Sequence, residues 1–115
     1  MPTAQALRVA RANGRRRMQE AVDATEKAID GWSFIAADAI RQAMARTRRD
    51  QHLTMEEIRE KIRKLGLHVP PPKDLRAWGG ATSVALREGV IEKTGAFKLA
   101  ASSNASPKAC YRRAF

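Results

Sequence analysis

Lys73, Arg76, Gly80, Ser83 and Arg87 recur at i, i+3, i+7, i+10 and i+14. On a helix that spacing makes one stripe. Side chains of these types suit one chemistry, contact with a polyanion. The Arg76 guanidinium can pair with a guanine edge or a phosphate. Ser83 is small and can reach a base or a phosphate oxygen. Gly79-Gly80 would let a backbone approach closely. Further on, Lys93, Lys98 and Lys108 surround a loop, and Arg112 and Arg113 follow it. Cations there would meet backbone phosphate or a minor groove. The plain alternative is a solvated helix face, glycines kept for helix packing, and ordinary surface charge.

Catalytic readings find little to stand on. His52 and His68 have no ligand-like spacing to each other or to Cys110, so no metal site is expected. Cys110 has no obvious base partner, and a lone cysteine forms no internal disulfide. Gly79-Gly80 lacks the pattern of a phosphate-binding loop. Glu56, Glu57 and Glu60 are explained by helix capping and dipole compensation. The sequence therefore predicts no catalytic residue, no cofactor and no enzyme.

Composition agrees with a polyanion partner. The 22 Lys and Arg against 12 Asp and Glu leave a net charge of +10, with a pI near 10.9. Nucleic acid is the commonest partner of so basic a domain. Residues 67–115 hold eight cations and three carboxylates, the most one-signed part of the chain. At 115 residues the chain fits one small domain with an appended helix. No apolar run nears the roughly 18 residues of a membrane span, so no membrane partner is expected. MPTAQALRVARANG lacks the apolar core of a secretion signal. Leu, Ile, Val and Phe together make only 21 residues, as many as Ala alone. Alanine is the best helix former, so a mainly helical chain with a thin core is expected.

Four helices and a hairpin are predicted to position these residues. The first helix spans about Thr3 to Ile29, with Met18, Ala21, Val22, Thr25, Ala28 and Ile29 on one face. Arg15, Arg16 and Arg17 follow a weak point at Asn13-Gly14, and Gly31 is the left-handed exit. The second helix, capped by Ser33, reaches about Arg49 and buries Phe34, Ile35, Ala36, Ala39, Ile40, Ala43 and Met44. The third opens on a capping box, Thr54 with Glu57, and a Leu53–Ile58 hydrophobic staple. It closes at Gly66 with Leu67 folding back. Pro70-Pro71-Pro72 forbids continuation, and the fourth helix runs over 73–87. Trp32 and Trp78, at apolar helical positions, are expected in the core. Val90–Thr94, with Gly95 as a turn, and Lys108–Phe115 read as a β-hairpin around a loop from Ala100 to Pro107.

That order predicts a winged helix-turn-helix: three helices plus a C-terminal β-hairpin over 32–115, with an N-terminal helical extension over 1–31. The helix 73–87 would dock in the major groove, with the hairpin 90–115 as wing and Arg46, Arg48 and Arg49 on the DNA backbone. VPPPKDLRAWGGATSVALREGVIEKTG at 69–95 resembles the recognition helix and wing start of small winged-helix proteins encoded by phages and prophages. NGRRRMQEAVDATEKA at 13–28 resembles their helical lead-in. Asp74-x-Arg76-Ala77-Trp78-Gly79 and Arg87-x-Gly89-x-Ile91 are the most specific parts. The resemblance implies double-stranded DNA binding near replication or transcription control, in the cytoplasm of a bacterial host. Cys110-Tyr111 departs from it, standing where a bulkier apolar pair is expected. The competing expectation is a protein-interaction module, such as an inhibitor of a host nuclease or defence complex. The first helix either packs back on the domain or makes a homodimer through its seven-residue repeat of Leu7, Gly14, Ala21 and Ala28.

Overall fold

Thr3 opens helix α1 (Ala4–Ala28), its Oγ1 accepting the Ala6 N–H at 3.1 Å. This satisfies one of the first-turn donors that have no partner within a helix. The computed structural model describes residues 3–99 and 107–115, the Leu7 side chain excepted. The expected loop from Ala100 to Pro107 therefore lies outside the described residues except for Pro107, which stands in a strand, and the place of Leu7 in a dimer seam lies outside them too.

Helix α2 (Trp32–Ala45) is capped differently from the expectation. Ser33 lies inside it. Glu26 of α1 supplies the cap, its carboxylate accepting the Gly31 N–H at 2.9 Å and the Ser33 N–H at 2.8 Å. Gly31 is left-handed at φ 72°, as its position in the sequence suggests, and turns the chain between the two helices. The helix stops at Ala45, short of Arg49. The Thr47 hydroxyl donates to the Ala43 carbonyl and the Lys61 ammonium to the Arg46 carbonyl. Phe34 and Ile35, expected inside, are exposed. The buried face of α2 is Trp32, Ala36, Ile40, Ala43 and Met44, and Phe34 falls opposite it.

Strand β1 (Leu53–Thr54) is too short for any sequence period to announce. Helix α3 (Met55–Lys64) follows it with the expected capping box. The Glu57 N–H donates to Thr54 Oγ1 at 3.2 Å, and the Thr54 N–H to Glu57 Oε1 at 3.0 Å. Leu53 and Ile58 are both in the core. At the far end the Leu67 N–H reaches the Ile62 carbonyl and the Gly66 N–H that of Arg63, the double closure of a Schellman motif.

The fourth helix begins later than predicted. The Asp74 carboxylate accepts the Arg76 N–H at 2.9 Å and its carbonyl accepts the Ala77 N–H at 3.0 Å. The chain so winds first into a 3-10 turn (Leu75–Ala77), and helix α4 spans Trp78–Arg87. Lys73 lies ahead of both. Leu75, expected beside Trp78, is exposed.

Strands β2 (Ile91–Leu99) and β3 (Pro107–Arg113) form the hairpin. With β1 they make a three-stranded antiparallel sheet in the order β1-β3-β2. Gly95 does not turn the chain back. Lys93 faces Tyr111 and Phe97 faces Ala109, so Thr94, Gly95 and Ala96 oppose the single residue Cys110. Gly95, at φ 82°, sits in this bulge.

The fold is thus mainly helical, with a small antiparallel sheet and a C-terminal hairpin. One core joins all of it. Trp32 meets Trp78 edge to face at 5.2 Å, and its indole N–H donates to the Pro70 carbonyl at 2.6 Å. Ile58 and Ile62 of α3, Ala81 and Ala85 of α4, and Val90 and Ile91 close around them. Ala21 belongs to the same core, so the second half of α1 packs in cis. No helix is long and apolar enough to cross a membrane among the described residues.

Candidate nucleic-acid interface

Gly79 and Gly80 are where α4 meets α1. A Cβ added at Gly79 would overlap Met18 Sδ and lie 2.8 Å from its Cγ. One added at Gly80 would lie 2.6 Å from Val22 Cγ2. The two glycines let the helix backbones approach. Gly80 is therefore a packing residue and leaves the expected open stripe. The first turn of α4 lies beneath α1, which also crosses the 3-10 turn before it.

The rest of the stripe divides. Ser83 and Arg87, one turn apart on α4, are exposed. The Ser83 hydroxyl donates to the Gly79 carbonyl at 3.0 Å, which leaves its lone pairs open. Arg76 is exposed but lies 3.6 Å from the Asp74 carboxylate. Lys73 is exposed ahead of the 3-10 turn.

The hairpin cations divide too. Lys93 and Lys108 are exposed, and among the described residues neither has an ion-pair partner. Lys98 is held against α3: its ammonium donates to the His52 carbonyl at 2.6 Å and to Glu57 Oε1 at 3.2 Å. Arg112 pairs with Glu92, its neighbour across the strands. Arg113 donates to the Ala45 carbonyl at 3.2 Å and lies over the Phe115 ring. Arg41 lies over the same ring, and Arg49 Nε donates to the Phe115 carbonyl at 2.9 Å. Arg41 and Arg113 thus hold Phe115 against α2, and Arg49 holds it to the segment that follows the helix. Arg48 pairs with Asp50 at 3.3 Å. The sequence predicts phosphate or minor-groove contacts for Lys98, Arg112 and Arg113. The structure instead engages each in the fold, because register and packing bring carboxylates, carbonyls and a ring to them.

The carboxylates are mostly occupied as well. Burial would raise the Glu57 carboxyl, but the Thr54 N–H and the Lys98 ammonium outweigh it and hold the group below its ordinary value. Hydrogen bonds from Arg63 hold Glu60 low. Backbone N–H groups, Ser33 first, do the same for Glu26. Among the described residues, ion pairs engage Arg16, Arg48, Arg63, Arg76, Lys98 and Arg112. Among the described residues no cluster of three His, Cys, Asp or Glu side chains is placed to hold a metal.

Sequence reasoning missed one basic region. The stretch 4–17 of α1, exposed but for half-buried Asn13 and the Leu7 side chain aside, carries Arg8, Arg11, Arg15, Arg16 and Arg17. No acidic residue precedes Glu20. The absence of carboxylates there was visible in the sequence; that the helix runs free of the core was not. Comparison with protein-family models, curated proteins and solved structures finds no match to this chain.

Proposed function

We infer that this chain is a double-stranded DNA-binding protein of phage or prophage type, built as a winged helix-turn-helix. The element order supports this reading: α2, β1, α3, a turn, α4 and a hairpin, with sheet order β1-β3-β2. The outer face of α4 at Ser83 and Arg87 meets the duplex, flanked by Lys73, Lys93 and Lys108. Arg76 joins them once it exchanges Asp74 for a phosphate. The single observation that carries the reading is the surplus of unengaged cations. Internal carboxylates are largely spent on caps and ion pairs, so the net charge of +10 faces outward and can neutralise phosphates.

The test is binding to random-sequence duplex DNA across a salt series. Log affinity should fall with log salt with a slope magnitude of roughly 4 or more, about 0.9 per phosphate contacted. No binding at low salt overturns the reading.

One observation favours a second function. Phe97 and Leu99, near the end of β2, are 67% and 68% exposed. Large apolar side chains at a hairpin end suit a protein surface better than phosphate. A protein-interaction module on the same scaffold would depend on them, and Phe97→Ser with Leu99→Ser would then leave DNA binding intact.

A further inference from the structure

Residues Arg8, Arg11, Arg15, Met18, Val22 and Thr25 fall at i, i+3, i+7, i+10, i+14 and i+17. They form a single stripe along α1. Its lower half is apolar or buried and seats on the domain: Met18 lies against Gly79, Val22 against Gly80, and Thr25 is fully buried. Its upper half is three arginines. From Ala4 to Arg17 the helix is exposed but for half-buried Asn13, the Leu7 side chain aside. The stripe changes chemistry where the helix leaves the core.

We propose that the overhanging half of α1 is a DNA-binding element that lies in a duplex major groove, with Arg8, Arg11 and Arg15 toward the phosphates and base edges. This rests on the DNA-binding reading above and names a contact element that reading does not contain. At 1.5 Å per residue the overhang is about 21 Å long. A bare α-helix fits the B-form major groove, about 12 Å wide. The deep, narrow major groove of A-form RNA does not admit side chains in this way, so duplex DNA is the partner the geometry favours.

Charge points the same way. Arg8–Arg11 and Arg11–Arg15 are like-charged neighbours at i, i+3 and i, i+4, a pairing that weakens a free helix. Among the described residues, Arg8, Arg11, Arg15 and Arg17 have no ion-pair partner; Arg16 alone lies near a carboxylate, 3.9 Å from Glu20. Gly14 costs the helix about 1 kcal/mol more, and among the described residues nothing lies within 4 Å of a Cβ built there. Phosphates supply the missing counter-charge. Arg11, four residues after Leu7, disfavours a parallel dimer through this half of α1, because it puts a charge beside the Leu7–Gly14 repeat where a seam needs an apolar side chain.

The experiment compares three full-length proteins on a random-sequence duplex across a salt series. They are wild type, Arg8→Gln/Arg11→Gln/Arg15→Gln, and a charge-matched control, Lys27→Gln/Arg63→Gln/Lys64→Gln. Glutamine keeps helix propensity close to that of arginine. The stripe variant is expected to lose more than ten-fold in affinity relative to the control. Its salt slope should fall by about 2.7, at about 0.9 per contact. Helical circular dichroism should rise on DNA addition for wild type and less for the stripe variant. Equal weakening of stripe variant and control overturns the proposal while DNA binding stands. Tighter, equally arginine-dependent binding to double-stranded RNA also overturns it. Failure of the wild type to bind any duplex DNA at low salt removes the functional reading and this proposal with it.

Discussion

Val22 of α1 closes over Gly80 of α4 so tightly that a Cβ at position 80 would sit 2.6 Å from Val22 Cγ2. Met18 covers Gly79 in the same way, but through an unbranched thioether. Valine on a helix has essentially one χ1 rotamer, whereas methionine has three rotatable bonds and adapts. Gly80→Ala should therefore destabilise by about 1–2 kcal/mol net: overpacking costs about 1–3 kcal/mol, and alanine returns up to about 1 kcal/mol of helix propensity. Gly79→Ala should change stability by less than about 1 kcal/mol, since Met18 can swing aside. Val22→Ala should partly rescue Gly80→Ala but not Gly79→Ala. Urea unfolding of the three single and two double variants checks the pattern.

Glu26 ties α1 to the start of α2 by accepting the Gly31 and Ser33 N–H groups. The Ser33 N–H, foremost, holds its carboxyl below the ordinary value of 4.5. A carboxyl lowered in the folded state adds stability above its unfolded pKa and loses it as pH falls through the folded one. Glu26→Gln should thus cost about 1 kcal/mol at pH 7, within the range for losing a helix cap. The gap to wild type should shrink as pH drops below 4.5. Denaturant midpoints at pH 7 and pH 3 measure it; a gap that widens in acid would contradict the assignment.

Trp32 is fully buried and donates its indole N–H to the Pro70 carbonyl at 2.6 Å. That bond pins the proline run, and so the start of the 3-10 turn, onto α2. Trp32→Phe removes the donor and leaves a smaller ring beside Trp78. The combined loss of bond and packing should destabilise by about 2–3 kcal/mol. Hydrogen exchange in the Leu75–Ala77 turn should speed up more than in α3, which has no bond to this indole.

Where local chemistry decides, the sequence was readable. Thr54-x-x-Glu57 and Gly66-Leu67 set the ends of α3 through neighbours in the chain, and the structure has both. The place of Trp32 and Trp78 in the core followed from their apolar helical positions. What sequence spacing could not show was pairing at a distance. Glu57 holding Lys98 across 41 residues and Arg113 reaching the Ala45 carbonyl are tertiary contacts. The same holds for Gly80: a small residue on a cationic stripe looks like room for DNA until the helix that fills the room is known. A two-residue strand such as β1 has no period to read, and Gly95 as a bulge differs from Gly95 as a turn only through the register of Cys110.

Arg87 and Arg113 separate cations that can serve a partner from those that serve the fold. Arg87 is exposed on α4, with no ion-pair partner among the described residues. Arg113 is half-buried, bonded to the Ala45 carbonyl at 3.2 Å and laid over Phe115. Arg87→Ala should leave the unfolding midpoint nearly unchanged, as exposed substitutions stay within about 0.5 kcal/mol. It should lower the DNA salt slope by about 1. Arg113→Ala should do the reverse, losing about 1–2 kcal/mol of stability as the Ala45 carbonyl is left without its donor, with little change in salt slope. Paired urea and salt titrations of both variants decide the matter. If Arg113→Ala also flattens the salt slope, the guanidinium leaves Ala45 for phosphate on binding, and the division of the hairpin cations drawn from the free protein is wrong.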